Sequence, residues 1–260
     1  MYTYCYNNPI RYIDFWGFAP TELEAAKMAA DIYNATYVGG DVRNPNVIIA
    51  ATDLHDQWIL VDIIYDRFDS GVKIGVYAKY NGNEFEYALV NKGSSTGEDW
   101  ANNFQQPFGA SNQMKDSLIA TKEFVDNHPL SEITMVGHSK GGAEAAANAV
   151  ATGTNAIIFN PSIANFFAYP DTLIELSNYD FGKISVFIVE GEALDNIFNT
   201  YIYYNAFGAQ VTYLPTQYEI PLYMYLPILL PMRIKNEIEN LKDNHQMRAV
   251  INTLKEAGYR

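Results

Sequence analysis

Hydrophobic positions along the chain change their period several times, and each change marks a different element. From Leu23 the apolar residues Leu23, Ala26, Ala29, Ala30 and Tyr33 recur at helical spacing behind Thr21-Glu22-Leu23-Glu24. That tetrapeptide is a capping box, so the spacing predicts a helix that starts there and ends near Asn34. A polar loop with Gly39-Gly40 and Asn44-Pro45-Asn46 follows. Three runs rich in β-branched and aromatic residues come next, 58–65, 72–80 and 84–90, with Asn81-Gly82 between the last two. Asn-Gly is a strong tight-turn signal, and these runs predict an antiparallel flank.

After Ser111 the periodicity becomes helical again over 114–125 and leads into a short apolar strand at 132–136. Runs at 155–159, 184–189 and 210–214 have the same buried-strand character, with helical segments between them. This alternation predicts an α/β domain: a mixed, mainly parallel central sheet with flanking helices and functional loops at the carboxyl ends of the strands. Residues 1–18 differ, with tyrosines alternating with polar residues and turn signals at Asn8-Pro9 and 14–17. They read as a short tail outside the body, which leaves 19–260 as one domain.

The strand at 132–136 runs into Gly137-His138-Ser139-Lys140-Gly141-Gly142, and an alanine-rich helical run follows. Strand, G-x-S-x-G and helix in that order make a nucleophile elbow, a bend that lifts the serine hydroxyl clear of the sheet. Ser139 is the candidate nucleophile. The backbone N–H of Lys140, the residue after it, is one candidate oxyanion-hole donor.

A serine hydroxyl needs a histidine base, and the base needs a carboxylate that fixes its tautomer. The chain has four histidines. His138 adjoins the serine but points the other way from a strand-to-turn position, His128 precedes Pro129 ahead of the elbow, and His55 lies far upstream. The order Ser, acid, His leaves His245, in Asp243-Asn244-His245-Gln246, as the base. The acid is expected just past the strand at 184–189, where Glu190, Glu192 and Asp195 compete. Glu192, after Gly191, is favoured, with Asp195 next. The account requires Ser139 and His245 to meet at one edge of a common sheet.

Composition narrows the partners. With 17 basic against 30 acidic residues and a net charge of −13, the chain is poorly suited to phosphate backbones, so nucleic acid is not expected. One cysteine, Cys5, forms no intramolecular disulfide, and no Cys/His metal cluster is evident, so neither a metal nor an organic cofactor is expected. The first twenty residues lack a basic region followed by an apolar one and do not read as a secretory signal. Export, where it happens, is expected to use another route.

From about residue 20 to the end the chain resembles class 3 lipase-type α/β-hydrolases, in particular a bacterial lipase-like branch with GHSKGG. That family carries an arginine-glycine-threonine/serine segment after a strand, then Asp-Trp and Asn. Here Asn91-Lys92-Gly93-Ser94-Ser95 follows the strand, with Lys92 in the place of the arginine, and Asp99-Trp100-Ala101-Asn102 comes after it. The resemblance implies that Ser94 is the other oxyanion-hole donor. It also implies that the acid is usually Asp, where this chain has Glu192.

The N-terminal string Tyr2-x-Tyr4-x-x-Asn7-Asn8-Pro9-Ile10-x-Tyr12-Ile13-Asp14-x-x-Gly17 resembles the end of the conserved core of RHS-repeat proteins, secreted shells that carry a variable C-terminal toxin. That resemblance implies an RHS shell and a cognate immunity protein as partners. The segment 211–232 is rich in Leu, Met and Tyr but is broken by four prolines, so it reads as an apolar insertion suited to a lid or interfacial surface and not as a membrane span. Together these features lead to the expectation of a phospholipase or lipase toxin effector acting on a lipid substrate at a membrane surface. A soluble-substrate esterase or thioesterase, or a catalytically silent lipase-like binding module, are the alternatives.

Overall fold

The computed structural model describes residues 20–35, 58–65, 70–80, 82, 84–93, 112–169, 174–219 and 230–259. Seven strands form one sheet in the order of the chain: β1 (Ile59–Tyr65), β2 (Lys73–Tyr80), β3 (Phe85–Asn91), β4 (Ile133–His138), β5 (Asn155–Phe159), β6 (Ile184–Val189) and β7 (Gln210–Leu214). β1 to β3 pair antiparallel, while β3 to β7 pair parallel. The reason lies in the connections. Short links allow hairpins, whereas each parallel step needs a crossover long enough to return to the starting edge.

The helices are α1 (Glu22–Asp31), α2 (Asn112–Asn127), α3 (Lys140–Thr152), α4 (Ala193–Phe198), α5 (Thr200–Phe207), α6 (Leu230–His245) and α7 (Met247–Glu256). The capping box of α1 forms in both directions: Glu24 N–H donates to Thr21 Oγ1 at 3.2 Å, and Thr21 N–H donates to Glu24 Oε2 at 2.8 Å.

Two cores sandwich the sheet, and the period of two along each strand divides them. On β6, Ile184, Val186 and Ile188 join the core under α2, α3 and α5, while Phe187 and Val189 join the core under α1 and α7. Ala88 and Val90 on β3 face α1 and α7, and Leu89 faces the other way. Along α3, Ala143, Ala145, Ala146, Ala147 and Ala149 are all buried. Their small side chains let this helix lie close against the sheet, which fixes the height of the elbow at its start.

At the C-terminal end the described ends of the apolar segment belong to regular structure. Residues 211–214 lie in β7, and 230–232 open α6, where a proline in the first turn loses no intrahelical hydrogen bond. The middle of that segment, 220–229, lies outside the described residues, as do the tail 1–18, the polar loop after α1, Ser94 and the Asp99-Trp100 segment.

Candidate active site

Four adjacent parallel strands end at one edge of the sheet, and each delivers a residue of interest directly afterwards. β3 leads to Lys92 and Gly93, β4 to Ser139, β5 to Asn160, and β6 to Glu190-Gly191-Glu192. Open α/β sheets place their binding sites at such carboxyl ends.

Ser139 sits between β4 and α3 with φ 58° and ψ −127°, a conformation that costs a non-glycine residue about 1–3 kcal/mol and persists only when its surroundings enforce it. They do so here. Its N–H donates to Phe159 O at 3.1 Å, and its carbonyl accepts from the Gly142 and Ser162 N–H groups, each at 3.0 Å. The flanking glycines allow the bend to close: a Cβ on Gly137 would strike the Gly141 carbonyl, and one on Gly141 would strike the Asn91 carbonyl and lie 2.8 Å from Gly93 N. Lys140 opens α3, where a backbone N–H has no intrahelical acceptor. Its ammonium turns away and donates to Gln113 Oε1 on α2.

His245 is the last residue of α6, and only 3% of its surface is exposed. Its Nδ1 lies 2.7 Å from Glu192 Oε2, and Glu192 is fully buried. The same carboxylate caps α4 by accepting from Leu194 N–H at 2.9 Å and from Asp195 N–H. A carboxylate bound to Nδ1 leaves Nε2 as the nitrogen that takes up a proton. The competing acids lie elsewhere. Glu190 is exposed, and Asp195 accepts from Tyr201 N–H and from the Thr200 and Tyr213 hydroxyls.

Other residues that the sequence did not single out hold this histidine. Asn160, with φ 38°, accepts from Val189 N–H at 2.8 Å and donates through Nδ2 to the carbonyls of Asn244 (3.0 Å) and His245 (3.1 Å). Asn244 accepts from the Gln217 and Tyr218 N–H groups and donates to Thr216 Oγ1 and Tyr218 O. His138, the last residue of β4 and the neighbour of the serine, is buried. Burial, then the neighbouring His245, push its pKa down to about 3, so the ring is neutral.

The structure brings Glu192 to His245, and the ring of His138, the residue before Ser139, lies 4.8 Å from that of His245 between centroids. Among the hydrogen bonds of the described residues, none joins the Ser139 hydroxyl to His245. Gly93 stands beside the serine, since a Cβ there would lie 3.4 Å from Ser139 Cβ. Under the elbow runs a buried polar cluster. Asn91 Nδ2 donates to Ser117 Oγ (2.9 Å) and Glu144 Oε2 (3.4 Å), and Asn148 Nδ2 donates to the same serine and to Asn91 Oδ1. Among the described residues no group of three His, Cys, Asp or Glu side chains is placed to hold a metal ion. No described helix is long and apolar enough to cross a membrane.

A family model for the Tle-like phospholipase domain matches residues 24–219, a span that includes the elbow and Glu192. The chain belongs to the Tle-like phospholipase family. It is therefore an α/β-hydrolase of the lipase and phospholipase type.

A stretch of 91 residues is 32% identical to the extracellular phospholipase A1 of Serratia liquefaciens, and it makes up 35% of this chain and 27% of that protein. Solved lipases are similar to the chain at lower identity. The triacylglycerol lipase of Penicillium expansum is 12% identical with a TM-score of 0.38, over 75% of this chain and 77% of that one. The Lip2 lipase of Yarrowia lipolytica is 13% identical with a TM-score of 0.42, over 75% and 78%. The family match stops at residue 219, so His245 lies beyond it and its place in the site rests on the geometry given above.

Proposed function

We propose that this Tle-like phospholipase domain is a serine hydrolase that cleaves fatty-acyl esters of membrane phospholipids, with Ser139 as nucleophile, His245 as general acid and base, and Glu192 as the carboxylate that orients the base. The observation that carries this reading is the buried 2.7 Å bond between Glu192 and His245, at the sheet edge where Ser139 occupies its strained turn.

The chemistry follows from these roles. Ser139 Oγ attacks the ester carbonyl carbon while its proton passes to His245 Nε2, and the imidazolium is stabilised by Glu192. The oxyanion of the tetrahedral intermediate is met by the Lys140 N–H and by Ser94, each donor of this kind contributing about 3 kcal/mol in comparable sites. Collapse breaks the bond to the leaving alkoxide, which takes the proton from His245. Water then attacks the acyl-enzyme by the same route, its proton passing to His245 and back to Ser139, and the fatty acid leaves. The Ser139 to His245 hydrogen bond closes when substrate is bound, since catalytic hydrogen bonds often tighten only in the Michaelis complex.

A lipid surface as the place of reaction is supported by exposed apolar side chains on the helices that follow Glu192, where Ile197 and Ile202 are 56% and 63% exposed. The Leu, Met and Tyr content of the sequence 211–232 supports the same reading. The N-terminal likeness to RHS cores supports a toxin effector delivered by a secretion system, with an RHS shell and an immunity protein as its partners.

The test is release of free fatty acid from phospholipid vesicles. Wild type is expected to release it and Ser139→Ala to lose essentially all turnover. Undiminished release by Ser139→Ala would remove this mechanism. A rate that does not increase when monomeric substrate is assembled into bilayers would favour the soluble-substrate esterase.

A further inference from the structure

Two residues outside the proposed triad connect its parts, and their role rests on the serine-hydrolase reading above. The Tyr33 hydroxyl lies 2.9 Å from His138 Nδ1, and His138 Nε2 lies 2.7 Å from the carbonyl oxygen of His245. A carbonyl oxygen can only accept, so Nε2 carries the ring's proton. In a neutral ring Nδ1 must then accept, and the tyrosine must donate.

A Cβ on Gly93 would collide with the phenolic oxygen and would lie 2.7 Å from His138 O, so the Gly93 backbone is pressed against this bridge. Gly93 is the residue before Ser94, and His245 is the residue at the other end of the chain of bonds.

We propose that Tyr33 and His138 are positioning residues of the hydrolytic site. Their one-way chain of hydrogen bonds, from Tyr33 through His138 to the His245 carbonyl, holds the base and Gly93 in register beside Ser139. Asn160 donates to the same carbonyl at 3.1 Å, so His138 is one of two clamps and its loss loosens the base without releasing it.

The arrangement suits a base that becomes charged at every turnover. A His138 protonated on both nitrogens would repel the His245 imidazolium across 4.8 Å and would lose the bond from Tyr33. Burial and that repulsion keep His138 neutral. Tyr33, whose phenol is held well above its ordinary value chiefly by burial, keeps its proton as well.

The experiment combines turnover with the tautomer of His138, read by nitrogen NMR of imidazole-labelled protein. Wild type is expected to carry the His138 proton on Nε2, with a pyridine-type Nδ1, and Tyr33→Phe to shift that signal towards a mixture of tautomers. Tyr33→Phe should lower kcat by about tenfold with KM within about twofold, the fold-change expected for one lost hydrogen bond at a group that must stay aligned. His138→Leu should fall at least as far. His138→Gln, whose amide both accepts and donates, should recover part of the loss.

A wild-type His138 protonated on Nδ1 would overturn the proposal. So would a kcat for Tyr33→Phe equal to wild type, or a His138→Gln no better than His138→Leu. Should Tyr33→Phe fail to fold, the wild-type tautomer and the two His138 variants decide the matter. The tautomer is read on resting protein, so it is separable from failure of the hydrolase reading, which would show instead as activity surviving in Ser139→Ala.

Discussion

Glu144 is a carboxylic acid with almost no exposed surface, beneath the turn that carries Ser139. Burial raises its pKa from 4.5 to about 7, against the opposing pull of Lys140 and of the hydrogen bond from Asn91. Between those two pH values the native protein holds a proton that the unfolded chain has released, so stability falls as pH rises through the window. The stability present below about pH 4.5 and absent above about pH 7 amounts to roughly 3 kcal/mol. His138 acts in the opposite sense. Its native pKa of about 3 lies below the ordinary 6.5, so the unfolded state gains a proton first and stability is lost as pH falls from 6.5 towards 3. Glu144→Gln isolates the first effect. Thermal unfolding should show the variant gaining on wild type between pH 5 and pH 8 by up to about 3 kcal/mol. A gap of equal size at both pH values would contradict the assignment.

Among the elements, the turn after β5 joins the sheet to the end of α6 through one side chain. Asn160 receives the Val189 N–H and gives its own protons to Asn244 and His245 while holding φ at 38°. Asn160→Ala removes all three bonds and leaves a Cβ-bearing residue in the left-handed region, where asparagine is better tolerated. A loss of about 3 kcal/mol is expected, measured by denaturant unfolding, with a parallel fall in kcat. Asn160→Gly should be less destabilised, by about 1 kcal/mol, because it removes the bonds but not the backbone's freedom. Equal stability of Asn160→Ala and wild type would show that the clamp is idle.

The strands were legible because their signal is local: β-branched runs, an Asn-Gly turn and the period of two all lie within a few residues of one another. α6 was not, because an apolar, proline-broken stretch leads into it and its first turn reads as the end of an insertion. His245 was placed by chain order alone, and the sequence could not show that it would end a helix.

On the scale of the whole molecule, the site is assembled from segments between 33 and 245, and the parts differ in how far the sequence exposed them. Ser139 carried a motif, and Glu192 carried a glycine and a strand end. Tyr33 and Asn160 carried no local signal, since an interior tyrosine at the end of a helix and an asparagine before a proline are ordinary residues until the sheet brings their partners to them. The charge of −13 was also legible, and it has a physical consequence at a membrane. On the proposed reading, a net negative chain is repelled by anionic lipid over roughly a Debye length, so attachment would rest on exposed apolar side chains such as Ile197 and Ile202.

All of this depends on the hydroxyl of Ser139 being activated by His245. The most direct measurement is intact-mass and peptide spectrometry after exposure to an alkyl fluorophosphonate, which reacts with activated serines. One adduct mapped to Ser139 is predicted for wild type, none for Ser139→Ala, and a rate lower by about 10²-fold or more for His245→Ala. An adduct on another residue, or labelling of His245→Ala at the wild-type rate, would contradict the account.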